Sequence, residues 1–198
     1  MQYFCSLLLL FLALQCSAHS QAHLDTAKSY DYVIERTGNN DGTQVEIFLK
    51  SVGRTKGDAW CSAFVSYCLT VSGVLEPKTR SGLARDYATK TVKTLVIKAS
   101  DVMLKKYKII KGDLVVWSRG ETVFGHIGMT TEDWQGIKGK TIEGNVSNKV
   151  SYMNRKIEPA NYFRIKWFVK VKNETKKEKI EIDFKKYLYN NISFYNLF

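Results

Sequence analysis

Phe163-Arg164-Ile165-Lys166-Trp167-Phe168-Val169-Lys170-Val171 reads with a period of two. Phe163, Ile165, Trp167, Val169 and Val171 alternate with Arg164, Lys166, Phe168 and Lys170. Successive side chains of a strand point to opposite faces, so the pattern predicts a strand with one face on a core. Working back along the chain, residues 150–157, 140–144, 126–131 and 114–118 predict four more strands. Upstream of Lys111 the apolar period changes to 3.6. Leu24, Ala27, Tyr30, Val33 and Ile34 predict a helix over 24–37. After the turn Gly38-Asn39-Asn40-Asp41-Gly42, Thr43 is placed to cap a second helix over 43–52, with Val45, Phe48, Leu49 and Val52 inward. A third helix over 59–71, capped by Asp58 and closed by Gly73, turns Phe64, Val65, Cys68 and Leu69 to the core, and a short fourth runs over 81–90. Helices first and strands after predict an α+β fold, with N-terminal helices packed on an antiparallel sheet of about five strands.

The chain has 198 residues, of which 44% are hydrophobic and 13% aromatic, enough for one well-packed domain and too apolar for wholesale disorder. Lys and Arg number 30 against 19 Asp and Glu, a net charge of +11 with a pI near 9.4, so anionic partners are favoured. The first residues carry an apolar block from Leu7 to Leu14 followed by Cys16-Ser17-Ala18. A short apolar core ahead of small residues predicts a secretory signal peptide over 1–18, cut after Ala18. The block is shorter than the roughly 20 residues a membrane span needs. A secreted or periplasmic protein follows, with lipid attachment at Cys16 as the alternative. Export excludes nucleic acid as the partner of the basic surface and leaves cell walls and membranes, and no later segment is apolar enough to span a bilayer. Residues 24–171 form the expected domain, and 172–198 a basic, aromatic tail of unassigned role. A monomer is expected.

Cys5 and Cys16 leave with the signal, so the mature chain keeps Cys61 and Cys68, two turns apart on one helix. Two turns rise roughly 10.5 Å, whereas a disulfide needs Cα atoms within about 7 Å, so both thiols are expected to be free. Cys61 falls in the first turn of its helix, where the dipole and free amides favour a thiolate, the form that attacks an amide carbonyl. His126, in Gly125-His126-Ile127-Gly128, is expected to be the one histidine inside the fold, His19 and His23 lying near the cleavage site. A histidine of ordinary pKa near 6.5 can hold the thiol proton and pass it to a leaving amine. The flanking glycines admit a close neighbour. Glu143 and Asn145, in Glu143-Gly144-Asn145, are two apart, so an extended segment turns both to one side. Either is placed to accept the second imidazole N–H.

Trp60-Cys61-Ser62-Ala63-Phe64-Val65, Gly112-Asp113-Leu114-Val115-Val116-Trp117, Gly125-His126-Ile127-Gly128 and Glu143-Gly144-Asn145 follow one another in the order and rough spacing of CHAP domains. The chain from 24 to 171 resembles that family of cysteine, histidine-dependent amidohydrolases/peptidases on a papain-like fold. The resemblance implies Cys61 as nucleophile, His126 as base, Glu143 as its orienting carboxylate and Asn145 as a supporting polar group. Lys111 stands where the family often has proline. Some members bind calcium ahead of the cysteine, but Asn39-Asn40-Asp41-Gly42 has no further carboxylate before Asp58, so no metal and no cofactor is expected. The family mostly cleaves amide bonds of bacterial peptidoglycan, as endopeptidase or N-acetylmuramoyl-L-alanine amidase. The rival expectations are a wall-binding or adhesion module without turnover, and a secreted cysteine protease or toxin acting elsewhere.

Overall fold

The computed structural model describes residues 21–175; the expected signal peptide, Cys5, Cys16, His19 and the tail beyond 175 lie outside them. Within that span the helices are α1 (Ala22–Lys28), α2 (Thr43–Lys50), α3 (Cys61–Val71) and α4 (Ala99–Met103). The strands are β1 (Val74–Glu76), β2 (Val96–Lys98), β3 (Leu114–Arg119), β4 (Gly125–Thr130), β5 (Lys138–Val146), β6 (Lys149–Lys156), β7 (Phe163–Val169) and β8 (Lys172–Thr175). Six of them make one antiparallel sheet in the order β2-β7-β3-β4-β5-β6, and β1 pairs with β8 in a separate ribbon. The class is α+β, with a sixth sheet strand, β2, added at the edge beside β7.

β3 runs through the middle of the sheet and is apolar at successive positions because both its faces are covered. Leu114 and Val116 pack with Leu69, Phe64 and Phe48 under the helices, whereas Val115 and Trp117 join Ile165, Phe168 and Trp134 on the other face. This double burial corrects the simple alternation expected of β7. A register shift pairs Val116 with Trp167 but Trp117 with Ile165, leaving Lys166 as an extra residue. A bulge of this kind turns the strand over. Ile165 and Phe168 therefore share one core, while Trp167 and Val169 belong to the other.

α3 packs on β4, β5, α1 and α2. Phe64, Val65, Cys68 and Leu69 are fully buried there, as their spacing predicts. Its first residue is Cys61, not Ala59, and its N-cap is Trp60, not Asp58. The Asp58 carboxylate instead accepts the Thr55 backbone N–H at 3.0 Å, closing the preceding turn. α2 likewise begins at Thr43 with Gly42 as N-cap, and Glu46 reaches back to accept the Gly42 N–H at 3.2 Å.

α1 stops at Lys28 rather than near Thr37. The chain beyond it is drawn to the β5–β6 hairpin, where Glu35 N–H donates to Asn148 C=O at 2.8 Å and Val150 N–H to Val33 C=O at 3.0 Å. Those tertiary bonds outweigh the local helical period. The fourth expected helix is a short 3-10 turn, Ala84–Ala88. His23, expected near the cleavage site, is buried in α1, and its Nε2–H donates to Gly112 C=O at 2.8 Å. Burial holds its pKa below the ordinary value, so it packs as a neutral ring that ties α1 to the start of β3. Asp113, beside it, accepts the Ile110 N–H at 2.8 Å and the Lys170 ammonium at 2.6 Å, joining the start of β3 to the end of β7. The chain past Val171 forms β8, with Val74 opposite Thr175 and Glu76 opposite Lys172.

Candidate active site

Cys61 opens α3, where the first backbone N–H groups lack intrahelical partners. Its sulfur lies near the Ser62 and Ile127 backbone N–H groups and the His126 ring, all three of which favour the thiolate. The Ile127 amide is free for this because β4 and β5 are paired only at Met129–Ile142 and Thr130–Thr141. Beyond Met129 the two strands separate, and the end of α3 meets the gap. Burial alone would raise the Cys61 thiol; the His126 charge and hydrogen bond, with the two amides, hold it below the ordinary thiol value.

His126 sits on β4 and is buried. Its Nε2 lies 2.7 Å from Glu143 Oε2 on β5, which leaves Nδ1 for Cys61. Burial disfavours the imidazolium, but the Cys61 thiolate and then Glu143 outweigh it and raise the ring to about 9. The two shifts run in the direction that favours a thiolate–imidazolium pair. The glycines of Gly125-His126-Ile127-Gly128 have separate reasons. A Cβ on Gly128 would come within 2.5 Å of Glu143 Cγ, and one on Gly125 within 2.3 Å of the Trp117 carbonyl oxygen. Without Gly128 the carboxylate could not reach the ring.

Glu143 has no solvent exposure. Besides His126 it accepts two bonds from one guanidinium, Arg155 Nε at 2.8 Å and Nη2 at 2.5 Å, and one from Thr141 Oγ1. Burial would raise this carboxyl; Arg155 first and His126 second lower it to about 2. The Arg155 guanidinium also lies over the Trp117 ring at 5.3 Å, and Trp117 stands 5.2 Å from the imidazole. Cation, carboxylate, imidazolium and thiolate thus form a chain of alternating charge across β6, β5, β4 and α3.

Asn145 does not join it, which corrects the expectation that Glu143 and Asn145 face one way. β5 has an irregularity between Glu143 and Val146, and Asn145 adopts a left-handed φ of 60°. Its side chain turns instead to the other side of Cys61. With the amide oriented to satisfy both its atoms, it accepts the Trp60 backbone N–H at 3.1 Å and donates to Glu35 Oε1 at 3.2 Å. Glu35 is itself buried and accepts from Trp60 Nε1 and from the Asn40 N–H, both at 2.8 Å. Gly144, between the two, lets α3 close on β5: a Cβ there would meet Phe64 Cβ and the Trp60 ring at 2.8 Å. Asn145 therefore braces the residue that precedes the thiol.

Three contributors escape the sequence reading: Arg155, Thr141 and Glu35. Arg155 has a legible trace. A tight β5–β6 hairpin places Ser151, Met153 and Arg155 opposite Glu143, Thr141 and Gly139, so Arg155 shares a face with the carboxylate. Glu35 has none, because its partners lie far along the chain.

The thiol opens on a cleft of about 130 Å³ lined by Asp58, Ala59, Leu83, Val123 and Phe124. A larger depression of about 290 Å³, bounded by Met103, Ile157 and Trp167, holds cations but no cysteine or histidine. Asp41 is consumed by structure, accepting the Thr37 N–H at 2.8 Å beside Arg36 and Lys56 at 3.4 and 3.6 Å. Among the described residues no group of three or more His, Cys, Asp or Glu is placed to hold a metal ion, and no helix is long and apolar enough to cross a membrane. Compared with family models, curated proteins and solved structures, the chain matches none.

Proposed function

We propose that the protein is an exported cysteine hydrolase of the CHAP type, cleaving amide bonds of bacterial cell-wall peptidoglycan through Cys61, His126 and Glu143. The observation that carries the reading is His126, which lies beside the Cys61 sulfur and is bonded to Glu143 at 2.7 Å. A binding module has no use for a buried thiolate–imidazolium pair, which costs desolvation that only chemistry repays. In this reading the thiolate attacks the carbonyl carbon, and its electron pair forms the S–C bond as the carbonyl electrons move to oxygen. The Cys61 backbone N–H, at the positive end of α3, is positioned to receive that oxyanion. The imidazolium gives its Nδ1 proton to the leaving amine as the C–N bond breaks, leaving a thioester. Neutral His126 then takes a proton from water, whose oxygen displaces the thiolate and releases the acid. Glu143 holds the ring by Nε2 and stabilises its charge throughout.

The wall as substrate rests on the resemblance, on the expected leader and on the basic composition, which suits an anionic polymer. Incubating the purified protein with peptidoglycan and identifying products by mass spectrometry tests it. New free amines on cross-bridges mean an endopeptidase, and released intact stem peptides mean an amidase. An intact wall beside a reactive Cys61 would move the activity to a non-wall peptide substrate. An unreactive Cys61 would leave the non-catalytic module.

A further inference from the structure

Arg54 lines the same cleft as Cys61, from the loop between α2 and α3. Its guanidinium is exposed and, among the described residues, has no acid within ion-pair reach and no side-chain hydrogen bond. Its backbone is held, since Arg54 N–H donates to Leu49 C=O at 2.9 Å. Its stem lies against Gly82. Gly82, on the facing wall, has no left-handed φ that would call for glycine, yet a Cβ there would fall 2.6 Å from Arg54 Nε and 2.7 Å from Cγ. The missing side chain is the space the arginine occupies. Asp58, the acid that shares the cleft, is turned away to the Thr55 N–H and hydroxyl. Arg85 borders the site through Gly125 but spends its cation over the Trp167 ring at 5.5 Å. The opposite wall, Val123 and Phe124, is apolar and exposed.

We infer that Arg54, seated on Gly82, is the subsite for a carboxylate carried by the substrate beside the scissile amide, so that the enzyme selects acidic peptides. The inference rests on Cys61 being the nucleophile and adds a specificity to it. Arginine suits the task because its planar fork meets a carboxylate with two parallel bonds. An unpaired cation at the mouth of a narrow cleft also draws an anion toward the thiolate, which by itself would repel it.

Two alkylating probes of nearly equal size, iodoacetate and iodoacetamide, read this directly on the full chain, because each transfers its carbon to the Cys61 sulfur with loss of iodide. The ratio of the two rates, followed by mass spectrometry of the Cys61 peptide, reports the anion preference apart from thiol reactivity. In Arg54→Gln the iodoacetate-to-iodoacetamide ratio is expected to fall roughly three- to tenfold. Arg54→Lys should keep most of it. Gly82→Ala, which pushes the guanidinium off the wall, should lower it by a smaller factor, and added salt should bring the wild-type ratio down toward that of Arg54→Gln. A ratio unchanged in Arg54→Gln, with Cys61 still labelled by iodoacetamide, overturns the subsite and leaves the hydrolase reading standing. Failure of iodoacetamide to label wild-type Cys61 overturns both.

Discussion

The start and the middle of α3 carry the same functional group in opposite states. Cys61 at its start and Cys68 two turns on are both free and both buried. At Cys68 burial dominates, and the thiol is pushed well above its ordinary value. At Cys61 the same burial is overcome by His126 and by two backbone N–H groups. Burial therefore does not decide reactivity here; the neighbours do. The helix start offers unsatisfied amides and a gap between strands, whereas one face of the helix middle offers only Phe64, Leu69 and the sheet.

That contrast can be broken from either side. The largest effect is expected from Cys61→Ser, which should lower amide hydrolysis by about 10⁴-fold or more, because a hydroxyl is far less acidic than a thiol and stays protonated where the thiolate would form. Glu143→Gln should follow closely. An amide cannot stabilise the imidazolium, and in a serine-protease triad the comparable aspartate-to-asparagine change costs about 10⁴-fold. It also leaves Arg155 facing a neutral group, so the variant's circular dichroism should be recorded beside its kcat. A rate unchanged in Glu143→Gln would remove the carboxylate from the site.

The pH dependence sharpens the same contrast. With His126 raised to about 9 and Cys61 lowered, both shifts favour the ion pair across neutrality. Hydrolysis should fall about tenfold per pH unit above about 9, as the proton destined for the leaving group is lost. Stability follows the same groups. Glu143, depressed from 4.5 to about 2, adds stability that is present above 4.5 and lost as pH falls toward 2. His126, raised from 6.5 to about 9, adds stability that is complete below 6.5 and lost as pH rises through about 9. Thermal melts from pH 2 to 10 should show a plateau between these limbs, and Glu143→Gln should flatten the acid one.

Smaller effects belong to the far side of the thiol and to the helix middle. Asn145→Gly keeps the left-handed backbone but removes the bond to the Trp60 N–H, and should cost roughly tenfold in kcat with little change in the pH profile. A shifted profile would return Asn145 to the imidazole. Cys68→Ser should leave hydrolysis unchanged and lower stability by about 1–3 kcal/mol, the cost of a hydroxyl in an apolar site. Activity lost in Cys68→Ser, at full folding, would erase the distinction between the start and the middle of α3.

Much of this was readable from local pattern. The periods of α3, β3 and β5 identify those elements because each is set by residues within a few positions of one another. Gly125 and Gly128 mark close approaches even before the neighbours are known. The reading failed where a distant partner intervened. Residues 29–37 carry a helical period but pair with the β5–β6 hairpin, and β7 alternates on paper but holds a bulge at Lys166. Glu143 and Asn145 looked equivalent because a two-residue spacing assumes an unbroken strand, and the backbone at Asn145 is not one.

The sequence by itself determined that three helices open the chain and that five sheet strands follow Lys111, the chemical identities of Cys61, His126 and Glu143, and the inability of Cys61 and Cys68 to pair with each other. These follow from residue type and from periodicities that the chain carries locally. Tertiary structure alone decided that Glu143 rather than Asn145 meets the imidazole, that Arg155 and Glu35 take part, and that His23 is buried away from the site. Each of those depends on the register of β4, β5 and β6 and on how closely α3 approaches them. Such distances are fixed by packing between residues up to about a hundred positions apart, which no local pattern records.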